Sequence, residues 1–343
     1  MARGTSKFAS LPALVTAATD EPWANDDKMP PVLANHLLPA APSLSLMLLS
    51  PEVNDALNAG RAVVALESTV IAHGLPRPQN LETAQRLEEI VRAGGAVPAT
   101  IAILKGRLCV GLSQEQLEHI AHSPDVHKLS RRDLPLAVAN EWDGATTVAT
   151  TCWIAERAGI RVFATGGIGG VHRGPLPDVS ADLPELSRAN IVVVCSGAKI
   201  VLDLEATREW LETHGITVVG YGCDEMPAFY SRSSGLSVDA RVETYAEAAR
   251  IAAARHALKL EGATLVTVPV PTAAEIPLEE LERVLHQALA QAARERIAGR
   301  ELTPFLLSRM ASESDGSTLR ANIALLENNA RVAAGISLAL CQH

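Results

Sequence analysis

Lys199 stands where an apolar run ends, in Ile191-Val-Val-Val-Cys-Ser-Gly-Ala-Lys199-Ile-Val-Leu-Asp203. A lysine is seldom left at the end of a buried run without a partner or a task. Burial and the positive end of a helix both favour an amine over an ammonium, and a helix is expected to start at or just after this position. A neutral lysine amine is a nucleophile that can form a Schiff base with a sugar carbonyl. The plainer alternative is a side chain whose head reaches water from the strand edge. Glu67 closes a second apolar run, Ala62-Val-Val-Ala-Leu66. A carboxyl partly withdrawn from water keeps its proton to higher pH, which suits a general acid near neutrality. The alternative is an exposed carboxylate capping the following turn.

Other polar groups fall at the ends of expected strands. Thr165-Gly-Gly-Ile-Gly-Gly170-Val-His172-Arg173-Gly174 follows Val162–Ala164. Its glycines let backbone N–H groups approach an anion, but it is neither a GxGxxG turn into a helix nor a P-loop. Asp143-Gly-Ala-Thr146-Thr147-Val148 offers a helix N-terminus with hydroxyls, either a phosphate seat or an ordinary cap. Lys128 and the pair Arg131-Arg132 are cations in an acidic chain and can attract an anionic substrate or simply face water. Asp178-Val-Ser180-Ala181-Asp182 supplies oxygen donors suited to Mg²⁺ or Mn²⁺, or an Asx-type turn before a helix. Asn322, Asn328 and Asn329 sit on an apolar helix, where amides need partners.

The elements that must position these groups alternate between strand and helix. Strands are expected at 62–66, 99–104, 108–112, 161–165, 191–195, 217–221 and 263–268, from apolar runs bounded by turn residues. Lys105-Gly106 marks a hairpin. Asn80 is expected to cap a helix closed by Gly94-Gly95, and Ser113 with Gln116 forms a capping box. Further helices are expected near 146–158, 200–213, 241–260, 277–298, 303–313 and 319–338. The alternation predicts a layered α/β/α fold with a mostly parallel sheet, in which ligands gather at the C-terminal strand ends.

Composition narrows the function classes. The chain has 343 residues, 48% hydrophobic, with net charge −9 and 3% aromatic residues. It lacks the basic stripes and stacking platforms of nucleic-acid binders. No apolar run approaches the ~18 residues of a membrane span. The five cysteines (109, 152, 195, 223 and 341) are scattered, which fits free thiols in a reducing compartment. Residues 1–50, rich in Pro, Ala, Ser and Leu, form an N-terminal extension expected to be disordered, with 51–343 a single catalytic domain. Arg3 and Lys7 are the basic residues before Asp20, thin support for an organellar transit peptide, so a cytoplasmic setting is expected.

Together these stretches resemble the pseudouridine-5′-phosphate glycosidase (indigoidine synthase A-like) family. The resemblance lies in ALESTVIAHGLPRPQN (65–80), KLSRRDLP (128–135), DGATTVATT (143–151), FATGGIGGVHRG (163–174), DVSADL (178–183), SGAKIVLDLEATREWLETHGI (196–216), PAFYSRSSG (227–235), LTPFLL (302–307) and ANIALLENNA (321–330). It implies an indigoidine synthase A-like fold and reversible cleavage of the C–C glycosidic bond of pseudouridine 5′-phosphate to uracil and ribose 5-phosphate, a lyase-class reaction. It implies that Lys199 forms the imine with the opened ribose, that Glu67 is the proton donor and that Asp178 ligates Mn²⁺ or another divalent cation. It further implies substrate contacts by Lys128, Val148, Ser180, Ala181 and Asp182, pocket positions for Thr165, His172 and Asn322, and a homotrimer. Against the family pattern the 174–178 loop is about two residues short, residues 268–273 read VPVPTA in place of an NPIPEE-like stretch, and ESDGSTL (313–319) is unusual. Competing readings are a lysine-imine aldolase or lyase on another sugar phosphate, a sugar kinase, disfavoured because no DTxGAGD-like anion hole is present, and a non-catalytic nucleotide-binding module.

Overall fold

The structure, a computed structural model, describes residues 46–173, 178–297 and 302–342. The disorder expected for the extension falls on residues up to 45, and the short loop falls on 174–177; both lie outside the described residues. The strands are β1 (Met47–Leu49), β2 (Val63–Leu66), β3 (Val97–Leu104), β4 (Arg107–Val110), β5 (His127–Leu129), β6 (Gly144–Thr146), β7 (Val162–Ala164), β8 (Val171–His172), β9 (Val192–Cys195), β10 (Leu202–Asp203), β11 (Thr217–Tyr221), β12 (Ala240–Val242) and β13 (Thr264–Thr267). The helices are α1 (Pro51–Asn58), α2 (Gln79–Ala93), α3 (Gln114–His122), α4 (Leu134–Ala139), α5 (Val148–Arg157), α6 (Asp182–Leu186), α7 (Leu204–Thr213), α8 (Tyr245–Ala257), α9 (Leu278–Glu295), α10 (Leu302–Glu313) and α11 (Ser317–Leu340).

The main sheet runs β1-β4-β3-β2-β7-β9-β13-β11-β12, with β6 and β5 attached to β3. From β3 to β12 along this path the pairings are parallel, and β3–β4 and β3–β6 are antiparallel. Every residue of β2, β7, β9 and β13 is buried, as expected when helices cover both faces of a parallel sheet. α11 lies over β2, β7 and β9 between α2 and α8, while α5 covers β2, β3 and β7 from the other face. This is the α/β fold with a mostly parallel central sheet that the alternation predicted. Among the described residues no helix is long and apolar enough to cross a membrane.

Four local expectations are corrected. Residues 47–49, assigned to the extension, form β1 and pair in parallel with β4. Asn80 does not cap α2; it lies inside the helix, and its amide donates to Ile71 O and Ala121 O, both at 3.0 Å. The helix expected from Thr146 starts at Val148, because Gly144–Thr146 pairs with β3 and β5 and Thr147 is the N-cap. The helix expected at Lys199 starts at Leu204, capped by the Asp203 carboxylate. A turn and the short strand β10, paired with β8, intervene. Lys199 therefore does not sit at a helix N-terminus.

The last strand residues of β2 show how the sheet opens for chemistry. β2 ends at Leu66 opposite Thr100, and β6 takes its place beside the second half of β3. Ser68, wholly buried, joins the two arrangements: its hydroxyl donates to Ile101 O at 2.7 Å and accepts from Thr146 N at 2.9 Å. Glu67 is thus held at the point where one strand gives way to another. Ser68→Ala leaves a buried carbonyl and a buried N–H without this partner, so unfolding free energy should fall by about 1–3 kcal/mol. Urea denaturation of both proteins measures this, and a loss under about 0.5 kcal/mol would show that the hydroxyl does not hold the junction.

Candidate active site

A cleft of about 380 Å³ opens at the C-terminal ends of the parallel strands. It brings together Glu67, Lys128, Val148, His172, Asp178, Ser180, Ala181, Asp182 and Lys199 from the sequence reading, with Thr69, Arg132, Thr147, Gly169 and Thr303. Asn322 of α11 faces a side lobe that shares Glu67, Thr69, Lys128, Lys199 and Thr303 with the cleft. Thr165 lines neither; it reaches the site through its hydroxyl, which donates to Glu67 Oε1.

Glu67 is buried, and its carboxyl is held above the ordinary glutamate range, chiefly by loss of water. The Lys199 charge, the Thr165 hydroxyl and Lys128 oppose that rise, and the Asp182 charge adds to it. Desolvation wins because the carboxyl lies inside the fold. Lys199 itself is half-buried, and its N–H donates to Ile168 O at 3.1 Å. The turn leading to it needs Gly197, whose φ is +78° and where a Cβ would strike the Pro227 carbonyl. That turn carries the chain from the end of β9 back over the glycine-rich loop, aligned by the Ile168–Ala198 bridge.

Asp182 is the most constrained acid of the site. Oδ1 accepts from Ala149 N in the first turn of α5 at 2.9 Å, and Oδ2 accepts from Gly169 N at 2.8 Å. Its carboxylate therefore ties a helix N-terminus to the glycine-rich loop. Gly169 has no side chain because a Cβ there would collide with Ser180 Oγ. The first N–H of α5, that of Val148, lies where a helix offers no internal acceptor. With Arg132 and Lys128 it makes this arm of the cleft suited to an anion. Arg131, by contrast, turns to Glu185 at 3.0 Å. Burial lifts the Glu185 carboxyl and the Arg131 charge opposes it.

Asp178 is half-exposed, with His172 Nδ1 3.5 Å from its Oδ2. Backbone pairing holds the segment in register, with His172 N donating to Asp178 O at 2.8 Å and Ser180 N to Gly170 O at 3.0 Å. Among the described residues no three His, Cys, Asp or Glu side chains are gathered for a metal ion. A single exposed carboxylate fits a hard divalent cation that keeps most of its water, and does not fit a protein-caged one.

The side lobe contains residues the sequence reading assigned no role. Val70, Phe229, Leu307 and Leu326 give it apolar walls, and Thr69 and His73 join the expected Asn322 as polar points. Phe229 has φ +62°, in the left-handed region that a bulky residue adopts only under constraint. Its N–H donates to Ser196 O at 3.0 Å. Thr69 and His73 lie in the same ESTVIAH stretch as Glu67, and Phe229 in PAFYSRSSG. Their positions in those motifs were the available signal. A larger cavity of about 630 Å³ opens at the opposite edge, lined by Ile160, Ile191, Val192, Ala252 and Leu340 among others. It lies at the N-terminal strand ends, away from Lys199 and Glu67, and its titratable lining residues are Glu156, Arg161 and His256.

Residues 52–339 match the family model described as indigoidine synthase A like protein. A pseudouridine-5′-phosphate glycosidase of Herpetosiphon aurantiacus is 53% identical over 87% of the chain and 99% of its own length. One of Solibacter usitatus is 52% identical over 84% and 97%. Among solved structures, the prealnumycin C-glycosynthase AlnA in complex with ribulose 5-phosphate superposes with a TM-score of 0.80 at 41% identity, covering 87% of the chain and 98% of AlnA. An indigoidine synthase A-like protein of Thermotoga maritima gives 0.79 at 41% identity, covering 86% and 96%.

A carboxyl whose folded-state value is raised binds its proton more tightly in the native protein than in the unfolded chain. Its contribution to stability is complete below the ordinary value of 4.5 and is lost as pH rises through the native value. Glu67→Gln removes this titration. The stability of the variant relative to the parent should therefore increase as pH rises above about 4.5. Urea unfolding at a series of pH values measures the difference, and parallel pH profiles would show that Glu67 is not desolvated in this way.

Proposed function

The chain belongs to the indigoidine synthase A-like family, and on that premise we propose that it is a pseudouridine-5′-phosphate glycosidase, an enzyme that cleaves a C–C glycosidic bond. The observation that carries the reading is the meeting in one cleft of Lys199 with the Glu67 carboxyl, which burial raises above the ordinary glutamate range. A C-glycoside has no leaving oxygen to protonate, so the two-carboxylate route of ordinary glycosidases does not serve. An amine and an acid do. Glu67 gives its proton to the ribose ring oxygen as the bond from that oxygen to C1′ breaks. Lys199 Nζ bonds to C1′. The proton that Nζ loses on bonding goes to C5 of the base, the C1′–C5 bond breaks with its electron pair restoring the ring C5=C6 bond, and the nitrogen lone pair forms the C1′=N bond of a protonated imine. Water hydrolyses the imine, releasing ribose 5-phosphate and restoring the amine.

The other residues hold the substrate. In this reading the phosphate rests against the first turn of α5, Lys128 and Arg132, remote from C1′. Binding energy gained there orients the sugar for attack. Ser180, Ala181 and His172 line the same wall, and Asp182 keeps the α5 terminus and the Gly169 backbone in place. Asp178 would hold a divalent cation such as Mn²⁺, which when bound supplies positive charge beside the anionic substrate. A homotrimeric assembly, implied by the family resemblance, and a cytoplasmic setting, expected from the scattered cysteines, complete the proposal. A second reading keeps Lys199 and changes the acceptor: the C-glycosynthase neighbour was solved with ribulose 5-phosphate, which favours a Schiff-base lyase on another sugar phosphate.

Incubation with ribose 5-phosphate followed by borohydride should add a reduced sugar to Lys199, mapped by mass spectrometry, and an unmodified Lys199 would refute the imine. Uracil release from pseudouridine 5′-phosphate separates the two readings. Lys199→Ala should lower turnover by at least about 10³-fold, and Glu67→Gln by about 10²–10⁴-fold. Chelation should lower activity, Mn²⁺ should restore it, and Asp178→Asn should raise the concentration required. Full activity in chelator would remove the metal from the proposal.

A further inference from the structure

The cleft divides at Lys199 into two arms of different chemistry. One arm carries Arg132, Ser180 and the start of α5. The other is the lobe walled by Val70, Phe229, Leu307 and Leu326. Glu67, Lys128 and Lys199 border both. Thr69 and His73 line the lobe, and their Oγ1 and Nε2 atoms are shielded from solvent with no hydrogen-bond partner in the protein. Buried polar atoms of this kind are uncommon in folded proteins and call for a partner the fold does not supply.

The two atoms offer a defined pattern. Burial, followed by the charge of Lys128, favours the neutral His73 ring. The ring already donates to the backbone of Val126, and Nε2 is the nitrogen without a partner. With the ring N–H on Nδ1, Nε2 keeps a lone pair for a partner beside the lobe. A lone pair repels a phosphate oxygen and accepts from an N–H. The Thr69 hydroxyl, one helical turn earlier, can donate to a carbonyl. The lobe therefore suits a flat apolar ring whose edge carries an N–H beside a C=O.

Resting on the glycosidase reading, we propose that Thr69 and His73 are specificity-determining residues that read the N–H and adjacent carbonyl of the leaving base, so that the enzyme accepts imide-type pyrimidines and rejects rings with an acceptor nitrogen or an N-methyl group at that edge. Neither residue forms or breaks a bond. Rejection comes from leaving buried polar atoms unpaired when the wrong edge enters, which discriminates more strongly than a change of shape in an apolar pocket.

The test runs in the condensation direction, with ribose 5-phosphate and either uracil, 1-methyluracil, 3-methyluracil or cytosine. The parent protein should prefer uracil over cytosine and over at least one methylated ring. His73→Phe and Thr69→Val should each raise the KM for uracil by about 10- to 100-fold with a smaller change in kcat, and should narrow the preference to a few-fold. Thr69→Ser, which keeps the hydroxyl, should restore it. Borohydride trapping of ribose 5-phosphate on Lys199 should be unchanged in all variants, which shows that the fold and the sugar arm are intact. An unchanged KM and preference would overturn the proposal. So would a parallel loss of sugar trapping and base use, the signature of a merely structural role. Failure of the parent to trap ribose 5-phosphate or to use uracil would instead strike the glycosidase reading itself.

Discussion

The site depends on the carboxylate of Asp182. Its two oxygens accept from Ala149 N and Gly169 N, and so hold the start of α5 against the glycine-rich loop. Charge-assisted bonds to backbone N–H groups are among the stronger hydrogen bonds available to a protein. Here they join two segments by bringing one N–H from each onto a single carboxylate. The same charge lies near enough to Glu67 to help it keep its proton. One side chain thereby sets both the shape of the arm beside α5 and part of the electrostatics of the acid. Cys152, on the buried side of α5, registers the same acidic surroundings: burial lifts its thiol well above the usual range, with Asp182 and Glu185 adding to the effect.

Glu67 and Lys199 form a pair whose balance is decided by burial. Opposite charges attract, and the lysine charge lowers the carboxyl value, but removal of water from the carboxyl outweighs it. A carboxyl that burial makes a tighter proton holder than an exposed one suits proton donation beside Lys199. The fold reaches this pairing at the place where β2 ends and β6 replaces it beside β3. A continuous strand would have carried Glu67 on into the ladder. The change of partner, stitched by Ser68, frees the side chain toward the cleft while keeping its backbone in the core.

Much of this was legible in the chain. Glu67 and Lys199 could be found because each follows a run of fully apolar residues, and the strand end is where a parallel sheet exposes polar side chains. The alternation of strands and helices fixed the layers for the same reason. The start of α7 was misplaced because Ile200-Val201-Leu202 reads as well into a helix as into a strand, and the pairing of Leu202 with His172 that decides the matter is non-local. β1 was missed because three residues, Met47-Leu-Leu49, carry too little pattern to be told from a tail. The clamp by Asp182 could not be read at all, since the N–H donors it accepts from lie 33 and 13 positions away.

Thr69 and His73 illustrate a further limit and its cause. Their types were visible, but a hydroxyl and an imidazole are ordinary residues until the fold shows which of their atoms lack partners. That knowledge needs α10 and α11, which close the lobe with Leu307, Leu326 and Asn322 from more than two hundred residues downstream. The late helices therefore do more than complete the core. α11 anchors to the glycine-rich loop through the buried Asn329, whose amide donates to Thr165 O at 2.9 Å, and Thr165 in turn donates to Glu67. The lobe, the acid and the glycine-rich loop thus share one chain of contacts. One helix therefore serves both places: α11 gives Asn322 and Leu326 to the lobe and, through Asn329 and Thr165, supports Glu67.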